Sequence, residues 1–281
     1  MTRTQKDPTG LPGNLSNNEA IRLFSDYLRV TGVAHTGPET HGDPRLVGKR
    51  LGLLNGSAWI TLWANYFGRM YLPGVHLVNA GNEAVQINFI ETHAAGLPEL
   101  PPANLSAFKH YALDLVELGH VDAVLITCST MNRAYPKVRA ALRPYGIPVY
   151  QIDRPMMRRA VEHGGRILVI ATHGPSVEST QALLREVAAE SGQAVGVTGA
   201  LVERAWQALA GGEVEAHNAI LAKTIREKMR TEEIGCVALA QLSMSIFLLS
   251  YPDPENEFGI PVFTSGQCGF EAMREVLASN I

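Results

Sequence analysis

The sequence predicts an α/β fold with largely parallel strands, built as two similar halves. Apolar runs of strand length alternate with amphipathic helical stretches from about residue 46 onward, the pattern of strands joined by crossover helices. A gapless internal similarity relates one stretch of the chain to a later one. The 281 residues, 46% of them hydrophobic, suffice for one large core or two moderate ones.

Residues 1–45 are rich in Pro, Gly, Asn and Thr and read as an N-terminal extension, interrupted by a helical pattern over Asn18–Arg29. Strands are expected at Arg50–Leu54, Gly74–Val78, Ala123–Thr127, Ile147–Gln151, Arg166–Ala171, Ala194–Thr198, Ile234–Ala240 and Ile260–Phe263. Helical stretches include Asn132–Leu142, Pro155–Glu162, Ser176–Ser191, Leu201–Leu209, Val214–Arg230 and Gln267–Leu277. Pro155 suits a first helical turn and Ser176 an N-cap. Gly81–Leu97 is expected to be a loop, one of those whose side chains select the substrate. The expected organisation is an extension (1–45), a first half (46–150) on which segment 260–281 packs back, and a second half (151–259).

The similarity rests on Gly-Ile-Pro-Val followed by an aromatic residue, at Gly146 and again at Gly259. Counting back 18 residues from each glycine reaches Cys128 and Gln241, and pairs Thr130 with Ser243 and Met131 with Met244. A duplicated α/β unit places equivalent strand ends on opposite sides of one cleft, where ligands of parallel sheets bind. Cys128 then faces that cleft from one half and Gln241 from the other.

Composition narrows the function. The formal net charge is −3, and there is no basic run of the kind nucleic acid requires. No apolar stretch approaches the ~20 residues of a membrane span, and MTRTQKDPTGLPGN lacks the apolar segment of a secretory leader. Three sparse cysteines without metal-site spacing fit a reducing, cytoplasmic setting and no metal.

Thr127-Cys128-Ser129-Thr130 delivers a thiol to the end of an apolar strand, just before a helix beginning near Met131. A helix N-terminus favours a thiolate and offers N–H groups to a carboxylate. The plain alternative is a structural cysteine closing a strand. Thr172-His173-Gly174-Pro175-Ser176 forms a second strand–turn–helix cradle, with Asn55-Gly56-Ser57 as its first-half counterpart. His173 is a candidate second acid/base group or a solvent-facing turn residue. Asn79, expected just after a strand, is a candidate substrate contact or simply a loop-opening polar residue. Cys236 reads as buried and inert. Cys268, at a predicted helix start, reads as packing or as a second reactive thiol.

Together these residues resemble the aspartate/glutamate/hydantoin racemase superfamily over about residues 50–280. The marks are Ile126-Thr127-Cys128-Ser129-Thr130, Ile147-Pro148-Val149 leading to the helix from Pro155, Ile170-Ala171-Thr172-x-Gly174, and Ile260-Pro261-Val262 followed by Ser265-Gly266. The resemblance implies two Rossmann-like halves about a pseudo-twofold axis, an active site between them, no cofactor, and a homodimer or higher homo-oligomer. It also implies two facing cysteines that move a proton at the carbon α to a carboxylate. The second thiol position here carries Gln241, and an amide neither gives nor takes a proton near neutral pH.

The expected function is therefore isomerase-type proton transfer on a small carboxylate, with Cys128 and His173 catalytic. Asn55, Asn79, Ser129, Thr130, Thr172, Gly174, Ser176 and Gln241 are expected to bind substrate. The alternatives are a lyase of the malonate-decarboxylase type with one-sided protonation, a covalent Cys128 isomerase or hydrolase, and a carboxylate-binding protein without chemistry.

Overall fold

A computed structural model of the chain describes residues 15–97 and 100–279; the first 14 residues of the expected extension lie outside the described residues. Helix α1 (Asn17–Thr31) opens with a capping box, in which Ser16 and Glu19 satisfy each other's backbone N–H groups, and closes on Gly32 in the left-handed conformation. Its residues Ile21, Phe24 and Leu28 share one face and stand exposed.

The first half then runs β1 (Arg50–Leu54), α2 (Ile60–Tyr71), β2 (His76–Ala80), α3 (Glu83–Ala94), α4 (Pro102–Glu117), β3 (Ala123–Ile126), a 3-10 turn (Thr130–Ala134), α5 (Tyr135–Leu142), a second 3-10 turn (Arg143–Tyr145) and β4 (Val149–Gln151). Helix α6 (Asp153–His163) leads into the second half. There β5 (Arg166–Ala171), α7 (Gly174–Glu190), β6 (Gly196–Leu201), α8 (Glu203–Ala210), α9 (Val214–Thr231) and β7 (Cys236–Leu239) follow. A 3-10 turn (Leu242–Ile246), α10 (Phe247–Ser250), α11 (Pro254–Phe258), β8 (Val262–Thr264) and α12 (Ser265–Ser279) complete the chain.

All pairings are parallel. The two four-stranded sheets have the same order, β2-β1-β3-β4 and β6-β5-β7-β8. The duplication read from the sequence therefore extends to topology. Gly146 and Gly259 stop equivalent turns at φ of 70° and 73°, a conformation that a Cβ disfavours, which explains why both copies keep glycine.

Two helices are exchanged between the halves. Met156, Met157, Ala160 and Val161 of α6 pack in one core with Ile167, Val169 and Ala238 of the second sheet. Phe270, Met273 and Leu277 of α12 return the exchange, packing with Leu51, Leu53 and Leu125 of the first sheet. Segment 260–281 is thereby divided, since β8 pairs with β7 while α12 covers the first sheet.

Three expectations are corrected. Gly81–Leu97, left as loop, contains α3: its apolar residues face both the core and the cleft, so no single amphipathic face marks it. Ser176 does not cap α7, which begins at Gly174 after His173. Asn79 lies inside β2, opposite Leu53, because the β1–β2 register carries pairing on to Ala80.

Candidate active site

The carboxyl ends of both sheets meet at one cavity of about 420 Å³. Ser57 after β1, Cys128, Ser129 and Thr130 after β3, and His173 and Ser176 after β5 line it, with Gln241 and Ser243 after β7. Helix α3 supplies Val85, Gln86, Phe89, Ile90 and His93 to the same wall. Cys128 and Gln241 thus face one cavity from equivalent strand ends.

Cys128 keeps part of its surface open to the cleft, and the surrounding protein still removes most water from its sulfur. Desolvation pushes the thiol up to about 11, against the N–H groups of Met131 and Thr130, which favour the thiolate. The buried Asp153 carboxyl adds to the upward shift. The expected thiolate-favouring turn is present, but burial outweighs it, so the resting sulfur is protonated at neutral pH. Gly56 packs directly on this thiol: a Cβ there would fall 3.0 Å from Cys128 Cβ and closer still to Sγ.

Across the cavity, Gln241 Oε1 accepts from both the N–H and the hydroxyl of Thr172 at 2.7 Å each. Its carbonyl end is thereby held, which leaves the NH2 end as the donor for a ligand. Thr172 is itself buried, does not line the cavity and positions Gln241.

His173 packs against Trp206 with ring centroids 4.5 Å apart, and its Nε2 is buried without a hydrogen-bond partner. Burial pushes its pKa down, opposed in part by the charge of Glu203. The imidazole is therefore neutral near pH 7. It is a cleft residue and not the solvent-facing turn residue of the plain reading. Ser176 Oγ lies 3.2 Å from Thr130 Oγ1, so a hydroxyl pair spans the two halves beside the thiol. Gly174 begins α7.

Asn55 and Asn79, expected as substrate contacts, are hydrogen-bonded to one another. Asn55 Nδ2 donates to Asn79 Oδ1 at 2.9 Å, Asn79 Nδ2 donates to Asn65 Oδ1 at 3.1 Å, and Thr127 Oγ1 donates to Asn55 Oδ1. This chain of amides ties the ends of β1, β2 and β3 together beneath the cleft, and neither Asn55 nor Asn79 lines the cavity.

Sequence reasoning passed over a buried carboxyl behind the thiol. Asp153 is fully buried at the start of α6 and accepts a 2.6 Å hydrogen bond from Asn132 Nδ2. Burial pushes it up to about 6, while Ser129, Asn132 and Ser265 act in the opposite direction. Ser129 Oγ, Ser265 Oγ and Asp153 Oδ1 nevertheless miss full hydrogen-bond geometry. The only sequence cue was an acidic residue placed just before a helical stretch, which ordinarily marks a cap.

Cys236 is buried and pushed up to about 12 by desolvation. Cys268 is buried among Met156, Leu184 and Ala238, pushed up to about 11 by desolvation, and contacts Arg159 at 3.7 Å. Neither lines the cavity, which removes Cys268 as a second thiol at the site. Among the described residues, no group of three His, Cys, Asp or Glu could hold a metal ion, and no helix is long and apolar enough to cross a membrane. Trp59, Phe89, Ile90 and Leu201 are further cavity residues that no local motif announced.

Comparison with known proteins adds to this geometry. A family model described as Asp/Glu/Hydantoin racemase matches residues 88–273, a span containing Cys128, His173 and Gln241. A search of curated protein sequences finds no match. Among solved structures, allantoin racemase from Klebsiella pneumoniae is similar at 17% identity and a TM-score of 0.55, over 82% of this chain and 88% of that one. Glutamate racemase from Francisella tularensis, in complex with D-glutamate, is similar at 14% identity and a TM-score of 0.57, over 83% and 82%. Maleate cis-trans isomerase from Nocardia farcinica, carrying a covalent succinylcysteine intermediate, is similar at 16% identity and a TM-score of 0.50, over 82% and 92%. At these identities the structures establish the shared two-domain α/β fold, and the family match does the rest: the chain belongs to the Asp/Glu/hydantoin racemase family.

Proposed function

We propose that the protein is a cofactor-independent isomerase of the racemase type, moving a proton at the carbon α to a carboxylate through Cys128. The observation that carries this reading is the pairing of a protonated Cys128 with a neutral His173 on one cavity. Neutral His173 takes the α-proton from one face, leaving an enediolate. Cys128 S–H gives its proton to the opposite face, and transfer from imidazolium to thiolate through water restores the start. Both groups begin in the protonation state that burial favours, so the step needs no prior ionisation. The Gln241 amide, the Thr130 and Ser176 hydroxyls, and the backbone N–H groups after β3 stabilise the enediolate oxygens. Preorganised donors of that kind are commonly the largest catalytic contribution.

Gln241 at the second thiol position favours one alternative, a lyase. Loss of carbon dioxide from a malonate-like acid needs a proton on one face only, and Cys128 alone supplies it. The neighbour with a succinylcysteine keeps covalent chemistry at Cys128 as a third outcome. The location remains the cytoplasm in this reading. Self-association is proposed through the exposed Ile21, Phe24 and Leu28 face of α1, to be read by sedimentation of wild type against Phe24→Ser.

The test is α-deuterium uptake, followed by NMR in heavy water with a panel of amino, hydroxy, aryl and dicarboxylic acids. Uptake that disappears in Cys128→Ala supports proton transfer by this thiol. Enantiomer analysis then separates the isomerase from the one-sided enzyme. Bound panel members that take up no deuterium would remove the proton-transfer reading.

A further inference from the structure

We infer that the cleft selects a monoanionic acid bearing an aryl or other bulky apolar group on the reacting carbon. This rests on the proton-transfer reading for which carbon reacts, and on the cavity wall for the substituent. The hydroxyls and amide that can hold a carboxylate gather around Cys128 and Gln241. Beyond them Trp59, Ile60, Val85, Phe89, Ile90 and Leu201 form a mostly apolar wall, interrupted by Gln86 and His93 of α3. Trp59 spends its only polar group inside the protein, donating to Gln86 Oε1 at 3.1 Å, and so offers a ligand ring and edge alone.

Charge points the same way. Among the described residues no Lys or Arg lines the cavity, and the one acidic lining residue is Glu203. A second carboxylate on the substrate would find no Lys or Arg among them and would face that acid. The hydroxyls and the Gln241 amide suffice for one carboxylate, not two. A dicarboxylic acid of the kind bound by the Francisella tularensis relative therefore fits this wall poorly.

The mouth repeats the pattern from both halves. Ile90 of α3 and Leu201 at the end of β6 are each 48% exposed at the cavity edge. Exposed apolar side chains on opposite rims of a concave site suit an apolar ligand that covers them. Between the halves, Trp59 meets Trp206 edge-on at 5.1 Å, Trp206 meets His173, and Trp63 meets Trp59 at 6.0 Å. These are all three tryptophans of the chain, so intrinsic fluorescence reports the occupancy of this wall.

The experiment is a fluorescence titration of the full chain at neutral pH with 2-phenylpropionate, mandelate, lactate, glutamate and methylsuccinate. The aryl acids are expected to bind at least tenfold more tightly than lactate and the dicarboxylates. Ile90→Ser and Leu201→Ser should each narrow the aryl-to-lactate ratio at least threefold. Glutamate or methylsuccinate binding as tightly as the aryl acids overturns the assignment. So does the absence of a saturable response to either aryl acid, or an unchanged ratio in both variants. Because binding is read without turnover, aryl acids that bind but take up no deuterium would remove the proton-transfer reading and leave this one standing.

Discussion

Thr172 donates both its N–H and its hydroxyl to Gln241 Oε1, so the counterpart of Cys128 in the second half is locked by its carbonyl end. The lock presents the amide NH2 to the cavity and makes Gln241 a fixed donor facing Cys128 from the other half. Thr172→Val removes the hydroxyl half of the lock and leaves the backbone N–H in place, so it should loosen the amide and weaken carboxylate binding by up to roughly tenfold, the scale of one net hydrogen bond of about 1.5 kcal/mol. Titration calorimetry on a bound acid checks this, and Gln241→Leu should lose at least as much.

Gln241→Cys is the complementary variant. A thiol at this strand end supplies a second proton-transfer group on the face opposite Cys128. Product from a single enantiomer should then scramble faster than with wild type. Chiral chromatography decides it, and unchanged scrambling would place the second proton elsewhere.

Gly56 is where the thiol meets backbone. A methyl group there collides with Cys128 Sγ, and the neighbour is a short side chain with little room to yield. Gly56→Ala should reduce deuterium exchange by about 100-fold, as a displacement of the order of 1 Å commonly does. The overpacking should lower stability by about 1–3 kcal/mol. Exchange kinetics and denaturant midpoints together check both halves of the expectation.

Desolvation holds Cys128 near 11, so below that value its thiolate fraction rises about tenfold for each unit by which the pH is raised. Alkylation by iodoacetamide, followed by mass spectrometry at Cys128, should climb steadily from pH 7 to 10. A plateau near neutral pH would mean that the turn after β3 overcomes burial after all.

Asp153 gives a stability prediction. Its folded pKa is raised from 3.8 to about 6 by burial. Its contribution is fully present below the unfolded value and is lost as pH rises through the folded one. Wild type should lose about 2 kcal/mol between pH 4 and pH 6.5 from this group, at ~1.4 kcal/mol per unit. Asp153→Asn keeps the shape and abolishes that loss. Urea midpoints of both proteins at pH 4.5 and 7.5 test it.

Much of the fold was legible because parallel strands buried on both faces write continuous apolar runs, such as Ile167–Ala171 and Cys236–Leu239. All eight strands appear where apolar runs predicted them, with ends moved by a few residues. Helix α3 was hidden because Val85 and Phe89 serve both core and cavity wall while Ile87 and Ile90 stand exposed, which erases a one-sided period. The repeat placed Cys128 and Gln241 at equivalent strand ends, and the strand–turn–helix pattern Thr172–Ser176 placed His173 at another. The amide chain through Asn55 and Asn79 was not legible, because a polar residue near a strand end looks the same from sequence whether it meets a ligand or another amide.

By itself the sequence determined the two-half α/β plan, the duplication and the position of the thiol. These follow from local periodicity and from spacing, which the chain carries along its length. Tertiary structure alone decided what surrounds that thiol. The exchange of α6 and α12, the Thr172 lock on Gln241, the buried Asp153 and the apolar wall from Trp59 to Leu201 all join residues distant along the chain. Desolvation, hydrogen-bond partnership and cavity shape are properties of that three-dimensional neighbourhood, and no local pattern encodes them.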